Sequence, residues 1–350
     1  MAPPATLNRM PPQPHLKQIV EGRQTLTREA ARALMQQILA GELSEIQLAA
    51  LLGALAARGE TAAEIAGFVE AMRAAATPFP LSDAERLQLV DTCGTGGDAS
   101  GTFNISTATA LVAAAAGATV AKHGNRAVTS QCGSADILEA LGVPVDLSPA
   151  AAAAALRKHR FAFLHAPAMH PAMKAVMPVR RALGVRTIFN VLGPLTNPAG
   201  AAAQVMGVYS PHLVPLVAEA MALLGTRHAF VVHGDTGIGG GLDELSISAS
   251  SRIAEVRNGA VTLSTLTPED AGLHRASIET LRGGNAETNA AILEAIFSGE
   301  RSPRRDIVLL NAAAVLVASD LAPTLNEGAA KAAHAIDSGA VKDLLKALRD

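Results

Sequence analysis

Residues Asp91–Gly142 read DTCGTGGDASGTFNISTATALVAAAAGATVAKHGNRAVTSQCGSADILEALG, and the order of residue types in this stretch decides the fold. Glycines at 94, 96, 97 and 101, with few bulky side chains between them, let a backbone approach a ligand closely. The helical run Ser106–Ala116 follows at once, so its free N–H groups point into the same space. A short apolar strand, Ala118–Ala121, then leads to a second cluster. Lys122, His123, Asn125, Arg126, Thr129, Ser130 and Ser134 fall within thirteen residues. One Gly-rich turn before a helix is equally a tight strand-to-helix connection. So many donors after a single strand are not needed for folding, and they suit a phosphate-rich ligand. No Gly-Lys-Ser/Thr closes the loop, so it is not the standard phosphate loop. Gly94-Thr95-Gly96-Gly97-Asp98 also lacks the third glycine of a dinucleotide fingerprint.

Working outward, short apolar strands alternate with helices from Leu87 onward. The clearest are Gln88–Val90, Ala118–Ala121, Phe161–Leu164, Val205–Tyr209 and Ala229–Val232. Such alternation implies βα units and a mostly parallel central sheet, an α/β fold. Ligands in these sheets bind at the carboxyl ends of strands, where Gly94, Lys122 and His233-Gly234 fall. Upstream, Leu16–Thr77 has helical spacing. Thr27-Arg28-Glu29 and Ser44-Glu45 each put a hydroxyl before an acidic first turn, and Gly41 and Gly59 mark helix ends. These short amphipathic helices form a small bundle, and Pro78 and Pro80 punctuate its exit. Ala286–Asp350 returns to Ala/Leu-rich helix.

Composition sets the outer bounds. A chain of 350 residues can bury a large core and has room for more than one domain. A net charge of -2 gives no long-range attraction for nucleic acid. Cys93 and Cys132 are no disulfide framework; they read as small buried fillers in a reduced, cytoplasmic setting. No apolar run reaches membrane-spanning length. The Pro-rich first fifteen residues read as a disordered tail.

The motifs GTGGD, NIST, KHGNRAVTS and GSADILEALG together resemble the anthranilate phosphoribosyltransferase family. The resemblance continues through His170-Pro171-Ala172-Met173-Lys174, Pro178–Thr187 and Asn190–Pro198 to Val232-His233-Gly234 and Gly241-Leu242-Asp243-Glu244-Leu245. It spans about residue 15 to the C-terminus. It implies a small all-helical N-terminal domain over 16–80, with an inserted helical segment near 170–195. A large α/β domain would cover 81–350, with the active site in the hinge cleft and a homodimer joined through the helical domain. It also implies transfer of the phosphoribosyl group of phosphoribosyl pyrophosphate (PRPP) to the amine of anthranilate, with anthranilate synthase a candidate partner.

Carried over residue by residue, the resemblance assigns PRPP to Gly94, Gly97, Asp98, Thr102, Asn104, Ile105, Ser106 and Thr107. Lys122, His123, Gly124, Asn125, Arg126, Ala127, Val128, Thr129, Ser130 and Ser134 complete that site. Gly94, Asn125, Arg180 and, as a channel wall, His170 are assigned to anthranilate. Arg180 precedes Arg181 in the motif and can grip a carboxylate with two parallel bonds, whereas Arg186 is expected to brace the sheet or a helix end. Departing pyrophosphate gathers negative charge, which Mg2+ neutralises, two ions per subunit being expected. Ser106, Asp243 and Glu244 match the family's metal residues, although an adjacent Asp-Glu pair is otherwise a common solvated feature. Asp98 would repel bare phosphate and is expected to hold ribose or backbone groups, or to act through a magnesium-water shell. An aryl amine is neutral at physiological pH, so no general base is required before attack; His123 is the candidate for taking the proton afterwards.

Two departures from the family stand out. The step between Val-His-Gly and Leu-Asp-Glu is lengthened to Asp235-Thr236-Gly237-Ile238-Gly239-Gly240-Gly241, which predicts an unusually flexible carboxylate loop. Cys132 stands where serine is common, and a thiol is a weaker hydrogen-bond partner. Three competing readings carry less. A pyrimidine nucleoside phosphorylase is opposed by the Arg180 segment and Gly-Pro-Leu-Thr-Asn-Pro. A nucleic-acid-binding paralogue would have a basic surface and eroded site residues. A Rossmann-like phosphoribosyltransferase would need a strand ending in two acids and a Thr-Gly loop.

Overall fold

The computed structural model describes residues 12–127 and 131–349. The chain divides into two compact units. One runs through Ala76 and includes His170–Thr196; the other is Thr77–Met169 with Asn197 onward.

The first unit is helical. Pro12–Val20, Arg28–Leu39, Glu45–Arg58 and Ala62–Ala74 form its main helices, joined by Met177–Leu183 and Phe189–Leu195 from the later segment. The first begins at Pro12, inside the stretch expected as tail; residues 1–11 lie outside the described residues. The hydroxyls of Thr27, Ser44 and Thr61 accept the first free N–H groups of the helices that follow them. Gly41 and Gly59 both mark helix ends in a positive-φ conformation, as expected, Gly41 directly after the Ala40 cap. Gly67 is required by space: a Cβ there would lie 2.2 Å from the Arg28 carbonyl oxygen, so the two helices cross nearly backbone to backbone. Buried Glu64 ties the unit together. It pairs with Arg58 at 2.6 Å and accepts the Leu26 and Thr61 N–H groups at 2.8 and 2.9 Å.

The second unit is built on an eight-stranded sheet: β1 Leu89–Gly94, β2 Thr119–Gly124, β3 Phe161–His165, β4 Ala203–Gly207, β5 His228–Asp235, β6 Gly241–Leu242, β7 Ser251–Arg257 and β8 Ala260–Leu266. The order is β3-β2-β1-β4-β5-β7-β8, with β6 paired to β5. The first five strands are mutually parallel; β6, β7 and β8 are antiparallel additions. The five expected strands are all present. β1 and β2 run further than expected, so Gly94, Lys122 and His123 are strand residues rather than loop residues. The β7–β8 hairpin is additional to the expected strands. Its signal in the sequence is the Asn258-Gly259 turn, both residues at positive φ, between the two strands.

Ile105–Ala115 and Pro303–Ala318 pack the core on one side of the sheet, around residues such as Leu111, Val120, Leu310 and Val315. Pro149–His159 belongs to a separate cluster with Ala121, Leu156 and Leu164. Both cysteines are buried thiols outside any disulfide, as expected. No helix among the described residues is long and apolar enough to cross a membrane.

Candidate active site

In the α/β unit the proposed residues gather at the carboxyl ends of β1, β2 and β4 and the segment after β6. β1 ends at Gly94, whose register partner on β4 is Gly207. Both are glycine because Asp243 lies directly against them. A Cβ on Gly94 would sit 2.2 Å from Asp243 Oδ2, and one on Gly207 1.5 Å from the Asp243 carbonyl oxygen. Beyond Gly94 the loop turns through positive φ at Gly96, Gly97, Ala99 and Gly101. That backbone aims the Gly96 N–H at Asp243 Oδ2, 2.6 Å away. Asp98 holds backbone groups, one of the roles its sequence position allowed: it accepts N–H groups from Ser100 at 3.1 Å and from Asp243 at 3.2 Å. Asp98 and Asp243 thus clamp the two segments to each other.

Asn104 occupies the N-cap position of Ile105–Ala115 without a side-chain cap bond, and the first turn carries Ser106 and Thr107. Lys122 is buried on β2 and donates to the Thr92 carbonyl at 2.8 Å and to Ser106 Oγ at 3.2 Å. Burial holds its ammonium below the ordinary range, opposed by the nearby charges of Asp91 and Glu244. The Ser106 N–H bonds the Glu244 carboxyl. Burial, and then the neighbouring Asp98, push the Asp243 carboxyl up to about 7. Burial and Asp243 raise Glu244 well above the carboxylate range. Buried acids crowded in this way favour a cation beside them. Among the described residues no three His, Cys, Asp or Glu side chains form an ion cage. Two carboxylates beside an anion loop match a magnesium ion that takes its other ligands from water and substrate oxygens.

The second loop is fixed by residues the sequence reading does not single out. Asp136 accepts the Ala127 and Gly133 N–H groups, both at 2.8 Å. Arg126 is tied to Glu139 at 2.6 Å and Asp136 at 3.4 Å. Asn125 Oδ1 accepts the Arg126 N–H, and Ser134 opens the helix Ser134–Ala140. Val128, Thr129 and Ser130 lie outside the described residues. Buried His123, followed on β2 by Gly124, donates its N–H to Asp91 Oδ1 at 3.2 Å, and Asn197 donates to Asp91 Oδ2 at 2.8 Å. Burial pushes the Asp91 carboxyl up to about 6 against these donors. The lengthened loop before Asp243 is held at several points: the Thr236 hydroxyl donates to the Gly239 carbonyl, Gly237 N–H bonds Asp235, and β6 pairs with β5.

In the helical unit Arg180 lies half-buried in Met177–Leu183, its guanidinium 5.3 Å from the centre of the Phe189 ring. Burial lowers its pKa, and no carboxylate among the described residues pairs with it. His170 is buried, its imidazole held below its ordinary pKa by burial while it bonds the Thr196 backbone.

A helical bundle and a mostly parallel α/β unit, with a glycine-rich loop bonded to the Asp243 segment, are matched by the two domains of a glycosyl-transferring class of enzyme. Residues 13–76 match the glycosyl transferase family helical bundle domain, and residues 86–342 match the glycosyl transferase family a/b domain. The chain is 51% identical over 335 residues to the anthranilate phosphoribosyltransferase of Symbiobacterium thermophilum, covering 96% of each. Its structure resembles the enzyme of that name from Thermus thermophilus, with TM-score 0.88 and 45% identity over 97% of this chain and 98% of the other. The Saccharomyces cerevisiae enzyme in complex with PRPP and Mg superposes with TM-score 0.85 at 28% identity, covering 96% of each chain. The same yeast protein with 4-fluoroanthranilate gives 0.83 at 27% identity, again over 96% of each. The chain belongs to the anthranilate phosphoribosyltransferase family.

Proposed function

We infer that the chain transfers the phosphoribosyl group of PRPP to the amine of anthranilate, giving N-(5-phosphoribosyl)anthranilate and pyrophosphate. The observation that carries this reading is the meeting of the Gly94–Ser106 loop with Lys122, Asp243 and Glu244 in a chain of this family. The C1–O bond to pyrophosphate breaks, the C1–N bond forms, and the amine loses a proton. The transition state spreads positive charge over the ribose and negative charge over the leaving group, so pre-aimed donors contribute most of the acceleration. Gly96–Gly101 supplies close backbone, Ser106 and Thr107 supply hydroxyls at the helix start, and Lys122 supplies positive charge. Asp243 and Glu244, with the Ser106 hydroxyl, would hold Mg2+, two ions per subunit. When bound, the metal neutralises the pyrophosphate oxygens. The attacking amine is already neutral, so orientation replaces prior deprotonation. Buried His123 is the candidate to take the proton afterwards.

Arg180 is the proposed cation for the anthranilate carboxylate, supported by its half-buried guanidinium with no carboxylate partner among the described residues. A cytoplasmic homodimer joined through the helical unit is the form we propose. Buried cysteine thiols and the exposed Ile46 and Val20 on the unit's helices support it. Arg180→Ala tests the acceptor assignment. Loss of a paired, charge-assisted contact should raise the anthranilate KM roughly 30-fold or more. The PRPP KM should stay within about twofold. Equal weakening of both substrates would remove Arg180 from the acceptor site.

A further inference from the structure

The loop that starts the helix Ile105–Ala115 is held from a distant part of the chain as well as by its own bonds. Segment 281–284 lies against it: the Phe103 N–H donates to the Leu281 carbonyl at 3.1 Å and the Gly283 N–H to the Gly101 carbonyl at 2.9 Å. Thr102 and Arg282 form an isolated antiparallel bridge between these bonds. The fit is tight enough that a Cβ on Gly283 would lie 2.7 Å from Phe103 N and Cα.

Asn289 sits behind this junction, 2% exposed, on the helix Ala286–Phe297. Its Oδ1 accepts the Gly284 N–H at 2.8 Å, and its Nδ2 donates to Asn104 Oδ1 at 2.9 Å. The side chain also bonds the Cys132 thiol. Asn104 in turn donates its Nδ2 to the Cys132 carbonyl at 3.0 Å. Every amide in this relay has only one workable orientation. Turning Asn289 over would set its NH2 against the Gly284 N–H, donor to donor. Turning Asn104 over would set its oxygen against the Cys132 carbonyl, acceptor to acceptor.

We propose that Asn289 is a positioning residue for PRPP, fixing the Asn104 amide and locking the Gly101–Asn104 turn to the Cys132 turn before substrate arrives. The relay rests on the transferase reading above, because it gives Asn104 and the Ser106 and Thr107 hydroxyls their work. Asn289 itself acts only through Asn104, the Gly283–Gly284 turn and Cys132. Binding would otherwise have to order two loops that approach each other across 28 residues of sequence.

The test compares wild type and Asn289→Leu, which keeps the branched skeleton, adds no charge and removes all three hydrogen bonds. In steady-state kinetics with anthranilate, PRPP and Mg2+, the PRPP KM should rise about tenfold, the scale of one lost buried contact. The anthranilate KM should stay within about twofold. Direct calorimetric titration with PRPP should show the same fold-loss. Combining Asn289→Leu with Asn104→Ala should add little to Asn104→Ala alone, since both remove one interaction. An unchanged PRPP KM, additive effects, or equal loss in both substrates and kcat would overturn the proposal. If the Leu variant loses cooperative unfolding, Asn289→Ser carries the same comparison, keeping a hydroxyl near the Gly284 N–H but too short to reach Asn104. Wild type that binds and turns over PRPP while the variants match it defeats the Asn289 role alone. Wild type that does neither defeats the transferase reading itself.

Discussion

Gly207→Ala is a small change with a large expected consequence. Gly207 ends β4 beside Gly94, and its backbone conformation would accept any residue. What it lacks is room. The added Cβ would lie 1.5 Å from the Asp243 carbonyl oxygen and 2.2 Å from its carbon, where ordinary contact begins near 3.4 Å. Because those are backbone atoms, the segment must retreat by roughly 2 Å, since a packed interior leaves no slack to absorb the methyl. That motion pulls Asp243 from the Gly96 N–H and from Asp98, and carries Glu244 away from Ser106. Misplacing a catalytic group by 1 Å costs about 10²-fold, so kcat should fall at least that far. The Mg2+ concentration for half-maximal rate should rise with it. Overpacking should cost about 1–3 kcal/mol, leaving the fold cooperative. The assay is loss of anthranilate fluorescence across a Mg2+ titration, paired with thermal unfolding. Gly53→Ala is the control: no atom lies within 4 Å of its Cβ, and a helix gains about 0.5–1 kcal/mol from the exchange. Near-wild-type kcat and Mg2+ dependence in Gly207→Ala would refute the idea that Asp243 and Glu244 must occupy this place.

In the helical unit, Glu64→Gln leaves Arg58 without its buried partner and should cost roughly 3 kcal/mol in urea unfolding; a loss under about 1 kcal/mol would mean the pair is not a structural tie. Asp91 governs a pH effect. Its folded pKa, about 6, lies above the unfolded value of 3.8, so its stabilising contribution is complete below pH 3.8 and lost as pH rises through about 6. That displacement corresponds to about 3 kcal/mol. Asp91→Asn should flatten the stability curve between those values, and a curve of unchanged slope would reject the assignment.

Much of the candidate site is legible in the sequence because it is written locally. Gly94, Gly97, Asn104, Ser106 and Lys122 lie within thirty residues of one another, and loop, helix start and strand follow in chain order. Asp243 and Glu244 are legible only through the family resemblance, since an acidic pair alone is commonplace. Residues that position the site are harder to see. Asp91 acquires its role from Asn197, 106 residues away, and Asn289 from Asn104, 185 residues away. No periodicity or local spacing encodes such a contact. The lengthened glycine loop illustrates the converse. Composition suggests freedom, yet Thr236, Asp235 and the β5–β6 pairing give it fixed partners, which depend on where the sheet delivers the chain. The β7–β8 hairpin carries a local mark in Asn258-Gly259, but β8 is a largely exposed antiparallel edge strand, unlike the continuous apolar runs of the parallel βα units.

The most direct measurement is the fate of anthranilate mixed with the purified chain, PRPP and Mg2+, followed by fluorescence and confirmed by mass spectrometry of the product. Fluorescence should fall only when all components are present, stop on adding chelator, and yield one N-(5-phosphoribosyl)anthranilate and one pyrophosphate per anthranilate consumed. Folded protein that leaves anthranilate unchanged under those conditions would contradict the assigned transfer.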